Sequence, residues 1–171
     1  MIEAVPFEDL GAMAVFKRLD PHDLIEAQLT RGAAVTYLTL FSNWHAQAPH
    51  HVMSLVLKSR GTPFAVLAVG NTGQAGVASA ALLARDHRQF RRELVLAARQ
   101  IATQMPPWCA ELGIHRIEAR SWRDHPTAGA FLRACGFHHE TDMPGFGASG
   151  AVTFSQFAWI NPELKGTDPC V

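Results

Sequence analysis

Apolar and polar positions change their period several times along the chain, and each change marks an element. Residues 1–7 read as a short strand and residues 8–19 as a helix. Asp20-Pro21-His22-Asp23 is a helix start. Asp20 can cap, Pro21 suits the first helical position, and Asp23 sits where the helix dipole favours negative charge. Residues 24–29 continue that helix, and Arg31-Gly32 ends or interrupts it. Residues 33–44 fit a mostly buried helix through Val35, Leu38, Phe41 and Trp44, although Val35-Thr36-Tyr37-Leu38-Thr39 also suits a strand; helix is the reading adopted.

Three β-type runs follow, at 52–58, 64–69 and 75–84, separated by Ser59-Arg60-Gly61-Thr62-Pro63 and Gly70-Asn71-Thr72-Gly73. Such turn chemistry between short apolar runs predicts an antiparallel meander. Then the period lengthens. Phe90, Leu94, Ala97, Ala98, Ile101 and Met105 form one apolar stripe of a long helix, which Pro106-Pro107 is expected to break. Leu112-Gly113 closes a further short turn, 114–121 reads as a strand, and a compact helix stops at Gly136. Two last strands are expected near 137–141 and 151–159, joined by a glycine-rich loop at 143–150.

The chain has 171 residues, a length suited to one domain, and 48% of them are apolar, enough for a core without staples. Fifteen basic and fifteen acidic residues cancel, so no electrostatic footprint for nucleic acid or anionic lipid is expected. Near neutrality, association with protein partners or with further copies is favoured. The apolar runs are strand-sized, so no membrane insertion is expected. Cys109, Cys135 and Cys170 make no C-x-x-C pair, which suits unpaired thiols in a reducing compartment. The first residues show no signal-peptide pattern, so a cytoplasmic or particle-associated protein is expected.

Leu112-Gly113-Ile114 stands before a strand, and the run Ala128-Gly129-Ala130-Phe131-Leu132-Arg133-Ala134-Cys135-Gly136-Phe137 closes the short helix. With the order strand, two helices, three-strand meander, long helix, strand, short helix and two strands, these residues make the chain resemble the GNAT (Gcn5-related N-acetyltransferase) superfamily. The resemblance implies an α+β fold: one GNAT-like domain over 1–160 with a mostly antiparallel central sheet flanked by helices. Residues 161–171 form a tail able to dock on a partner. Phe90-Arg91-Arg92, Phe131-Leu132 and Phe154-Ser155-Gln156-Phe157 also look like pieces of the small GNAT-like proteins of tailed, especially short-tailed, bacteriophages, some associated with the virion.

The family resemblance implies acetyl-CoA, held by its pyrophosphate on backbone N–H groups of a glycine-rich loop that opens the long helix. The matching segment, Arg85-Asp86-His87-Arg88-Gln89-Phe90-Arg91-Arg92, has no glycine and carries Asp86 where phosphate is expected. Arg85, Arg88, Gln89, Arg91 and Arg92 are the candidate cofactor-binding residues; the bland reading makes the arginines a solvated turn or a protein contact. The family's strand carboxylate is missing from 75–84, which leaves Glu118 as the candidate base and a surface ion pair as its alternative. Leu132 stands where many members place an acidic tyrosine, and Trp122 is expected to line or plug the cofactor cleft. Asp124 is expected to cap the last helix. No metal is expected: nine histidines show no ligand spacing, and His138-His139-Glu140 is their best cluster. These absences favour a structural or interaction component over an efficient acyltransferase, with an active acetyl-CoA-dependent N-acetyltransferase as the alternative.

Overall fold

The computed structural model describes residues 2–31 and 35–162. The link at 32–34 and the tail beyond 162 lie outside the described residues, as therefore does the expected docking role of that tail. β1 (Ile2–Pro6) leads to α1 (Asp9–Phe16), α2 (Pro21–Arg31) and α3 (Tyr37–Gln47). The meander is β2 (His51–Ser59), β3 (Thr62–Asn71) and β4 (Val77–Ala84). Then come α4 (Arg91–Glu111), β5 (Arg116–Trp122), α5 (Ala128–Ala134), β6 (His138–Phe146) and β7 (Val152–Ile160).

Local chemistry explains the boundaries. Asp20 Oδ1 accepts the backbone N–H of His22 at 2.9 Å, so α2 starts on a side-chain cap with Pro21 in its first turn. Thr36 and Thr39 form a reciprocal capping box that opens α3 and settles the ambiguous segment as helix. Arg60 and Gly61 both take positive φ, 50° and 74°, which suits the tight turn between β2 and β3.

Pro106-Pro107 does not break α4, contrary to expectation; the helix runs through to Glu111. A proline inside a helix costs about 3 kcal/mol. Met105 and Cys109, buried on either side of the pair, hold both halves on the sheet and offset that cost. The glycine-rich loop is also shorter than expected, because β6 continues to Phe146 through two register shifts against β7.

The seven strands stand in the order β1-β2-β3-β4-β5-β7-β6. Every neighbouring pair is antiparallel except β4 with β5. α1 and α3 cover one face around Phe16, Trp44, Val56 and Val66. α4 and α5 cover the other around Met105, Ile117, Phe157 and Trp159. Among the described residues no helix is long and apolar enough to cross a membrane.

Candidate functional site

The site begins where the sheet splits. β4 and β5 pair only through Val77, Ala78 and Ser79 against Arg116, Ile117 and Glu118. Beyond that rung they separate and leave a window. Arg85 donates its N–H to the Phe64 carbonyl on the β3 side. By alternation Ala80, Leu82 and Ala84 turn theirs toward β5. Arg123 donates to the Thr153 carbonyl on the β7 side, so Arg120 and Trp122 turn theirs toward β4. A cleft of about 550 Å³ follows the window and takes in Ala80, Leu82, Ala119, Arg120 and Ser121 from the strands.

α2 lies across the mouth of this window and ties its two sides together. Asp23 Oδ2 accepts the Ala84 N–H at 2.8 Å, and the Asp20 N–H donates to the Ala84 carbonyl at 2.9 Å. On the opposite side Glu26 Oε2 accepts the Trp122 N–H at 2.9 Å. Three acids spaced three apart along one side of α2 thus reach polar groups that a paired sheet would have used itself. Burial pushes the Glu26 carboxyl above its ordinary range; the Trp122 N–H only partly offsets this, and neighbouring Asp23 adds to the rise.

Asp23 is also the centre of a buried polar cluster. His125 Nε2 lies 3.0 Å from Asp23 Oδ1, and His87 Nε2 lies 3.2 Å from the same oxygen. Burial raises the Asp23 carboxyl, but the His125 and His87 contacts and the Ala84 N–H outweigh burial and leave it below its ordinary value. Burial depresses His87, while contacts with Asp23, then Asp20 and Asp86, outweigh burial and raise it. Asp23, His87 and His125 converge closely enough to suggest a metal site, with their ligand atoms within 4.8 Å of one another. The hydrogen bonds point elsewhere. His125 Nδ1 accepts the N–H groups of Thr127 at 3.3 Å and Ala128 at 3.0 Å. The ring proton therefore sits on Nε2 and is donated to Asp23, leaving no lone pair there for a metal. His125 thereby also supplies the cap of α5 expected of Asp124, which is exposed beside Arg123.

The loop from β4 into α4 supplies its own anion. Asp86 Oδ1 accepts the N–H groups of Arg88 and Gln89, both at 3.0 Å. The His87 N–H goes to Asp20 Oδ2 at 2.9 Å, and the Phe90 N–H goes to the Asp86 carbonyl at 3.0 Å. Four successive N–H groups in the turn just before α4 are thus satisfied from within the chain.

The structure places the candidate residues in three settings. Arg85 is buried, donates Nη1 to the Pro63 carbonyl at 2.8 Å and lies over the Phe90 ring, so it braces the fold. Arg88, Gln89, Arg91 and Arg92 are exposed, and of these only Arg91 lines the cleft. Glu118 accepts from Arg116 Nε at 2.8 Å, in a network with Glu140 at the paired end of β5, and does not line the cleft. Leu132 does line it, whereas Trp122 contributes its backbone to the mouth and neither lines nor plugs the cleft with its indole. In His138-His139-Glu140 only His139 turns away, pairing with Asp142 at 2.8 Å; Glu140 pairs with Arg116 at 2.9 Å and lies 3.8 Å from His138. Sequence reasoning gave no site role to Asp23, Glu26, His87 and His125. The acids spaced three apart in 20–26 were the available signal.

No protein-family model matches the chain, and no curated protein sequence matches it. Solved structures do. A probable GNAT-family acetyltransferase from Chromobacterium violaceum is similar at 16% identity and TM-score 0.68, over 95% of this chain and 88% of that one. Spermidine N-acetyltransferase from Vibrio cholerae, in complex with CoA and spermine, is similar at 10% identity and TM-score 0.68, over 94% and 95%. A putative acetyltransferase from Salmonella typhimurium, with its cofactor acetyl-CoA, is similar at 12% identity and TM-score 0.63, over 99% of each chain. The chain has the α+β fold of the GNAT acetyltransferases. In the turn that precedes α4 the N–H groups of His87, Arg88 and Gln89 are already bound to Asp20 and Asp86 and are not free for a CoA pyrophosphate.

Proposed function

We propose that this GNAT-fold chain is a structural or interaction component and not an efficient acyltransferase. One observation carries the reading: carboxylates of the chain itself occupy the N–H groups of His87, Arg88 and Gln89 before α4 and of Ala84 and Trp122 on the two sides of the window mouth. An anionic cofactor would have to displace them and meet their charge. The resemblance of Phe90-Arg91-Arg92, Phe131-Leu132 and Phe154-Ser155-Gln156-Phe157 to phage GNAT-like proteins supports a virion-associated setting, and zero net charge suits assembly with protein partners or further copies. Purification from the cell that makes it, followed by light scattering, is expected to return a stoichiometric assembly. A lone monomer that turns over acetyl-CoA overturns the reading.

A second reading, an active acetyl-CoA-dependent N-acetyltransferase, has one observation in its favour. Ala80 and Leu82 turn their N–H groups into the window beyond the last β4–β5 rung, and the raised carboxyl of Glu26 stands at the same mouth. Release of an acylated amine and free CoA thiol in a direct assay would favour it.

A further inference from the structure

A second cavity, of about 210 Å³, lies between the sheet and α4. Its walls are almost wholly apolar: Met53, Leu55 and Leu67 from the sheet, Ile101 and Met105 from α4, and Phe131 from α5. It is partly open to solvent, and apolar walls of this kind take up hydrocarbon in proportion to the area buried. This cavity and the cleft adjoin, with Ala80, Ala81, Leu82, Ala119, Phe131 and Leu132 lining both. Asp23 and Glu26 line the same cleft, but Asp23 is held by His125, His87 and the Ala84 N–H and Glu26 by the Trp122 N–H; the exposed Arg31 and Arg91 also line it and hold no ion pair among the described residues. Arg91, Leu94, Ala98, Ile101 and Met105 follow one side of α4, three or four apart. The ten steps from Arg91 to Ile101 rise by about 15 Å, a span that an arginine side chain and a hydrocarbon chain of about eight carbons bridge together.

We propose that cavity and cleft form one binding site for a small amphipathic carboxylate, its hydrocarbon chain beneath α4 and its carboxylate on Arg91. The apolar walls supply affinity in proportion to chain length, and the guanidinium supplies a charge-assisted fork for the head. The proposal does not depend on whether the chain performs acyl transfer.

Titration of the full chain with octanoate, butyrate and octanol, below micelle-forming concentrations, tests both halves. Octanoate is expected to bind saturably and raise the melting temperature, and butyrate to bind more than about tenfold more weakly. Arg91→Ala is expected to weaken octanoate about tenfold and leave octanol unchanged. Ala80→Phe, which fills the shared wall, is expected to abolish binding of both. If that variant does not fold, methyl NMR of the wild type replaces it, with octanoate shifting the Met53 and Ile101 methyl signals. The proposal is overturned if octanoate does not bind at millimolar concentration, if butyrate matches it, if Arg91→Ala affects octanoate and octanol equally, or if only surface methyls shift.

Discussion

Asp23 meets Ala84 side chain to main chain: one carboxylate oxygen on α2 accepts the last inward N–H of β4 at 2.8 Å. The other oxygen faces His125 and His87, so one buried group joins α2, β4, the start of α4 and the start of α5. Asp23→Ala leaves those donors without their acceptor. A loss of about 3–5 kcal/mol is expected, the scale for breaking a buried charge pair, with a melting temperature lower by roughly 10 °C. Urea unfolding of the two proteins checks it. A loss under about 1 kcal/mol would show that the cluster is hydrated and loosely held.

The same cluster gives stability a pH window. His87 is raised in the folded chain, so its contribution is complete below the unfolded histidine value of about 6.5 and is lost as pH rises through the folded value. Asp20 and Asp23 are lowered, so their contributions are complete above the unfolded value of about 3.9 and are lost as pH falls through the folded values. Within this cluster, stability should be greatest between these limits. In a pH series of melting temperatures, His87→Gln should flatten the alkaline limb and leave the acid limb in place. An unchanged alkaline limb would assign that titration to another group.

Glu26 has the opposite sign. Its raised carboxyl makes ionisation costly, so its penalty appears as pH rises above the unfolded value of about 4.3. Glu26→Gln keeps an oxygen for the Trp122 N–H and removes the charge. The variant should melt above the wild type near pH 7 and with it near pH 4. Scanning calorimetry at the two pH values reads the difference, and a variant less stable at neutral pH would mean the ionised form is the favoured one.

Arg85 separates bracing from binding. Its guanidinium is buried against Pro63 and Phe90, away from the cleft walls. Arg85→Ala should therefore cost about 2 kcal/mol of stability and leave any ligand affinity of the folded protein unchanged. Denaturation paired with the octanoate titration decides it, since a selective loss of affinity at unchanged stability would return Arg85 to the site.

Much of this fold was legible because its signals are local. Asp20-Pro21 opens α2, the stripe from Phe90 to Met105 lies on α4, and Gly136-Phe137 ends α5 before β6. Pro106-Pro107 misled because burial of Met105 and Cys109, a tertiary effect, outweighs a local penalty. The site was less legible for the same reason. Asp23 and His125 stand 102 positions apart, and Glu26 and Trp122 stand 96 apart. Nothing in the spacing of either pair announces their contact. Asp86 was readable as a negative charge before the long helix, yet only the structure shows that it accepts the N–H groups of Arg88 and Gln89.

Asp20, Asp23, Glu26 and Asp86 hold N–H groups before α4 and at the window mouth that an anionic cofactor would need. Calorimetric titration of acetyl-CoA into the wild type and into Asp86→Gly tests most directly whether they exclude it. No wild-type binding is expected at millimolar concentration, and measurable binding is expected once the Asp86 carboxylate is removed and its N–H groups are released. Micromolar binding by the wild type, undiminished relative to Asp86→Gly, would contradict this exclusion.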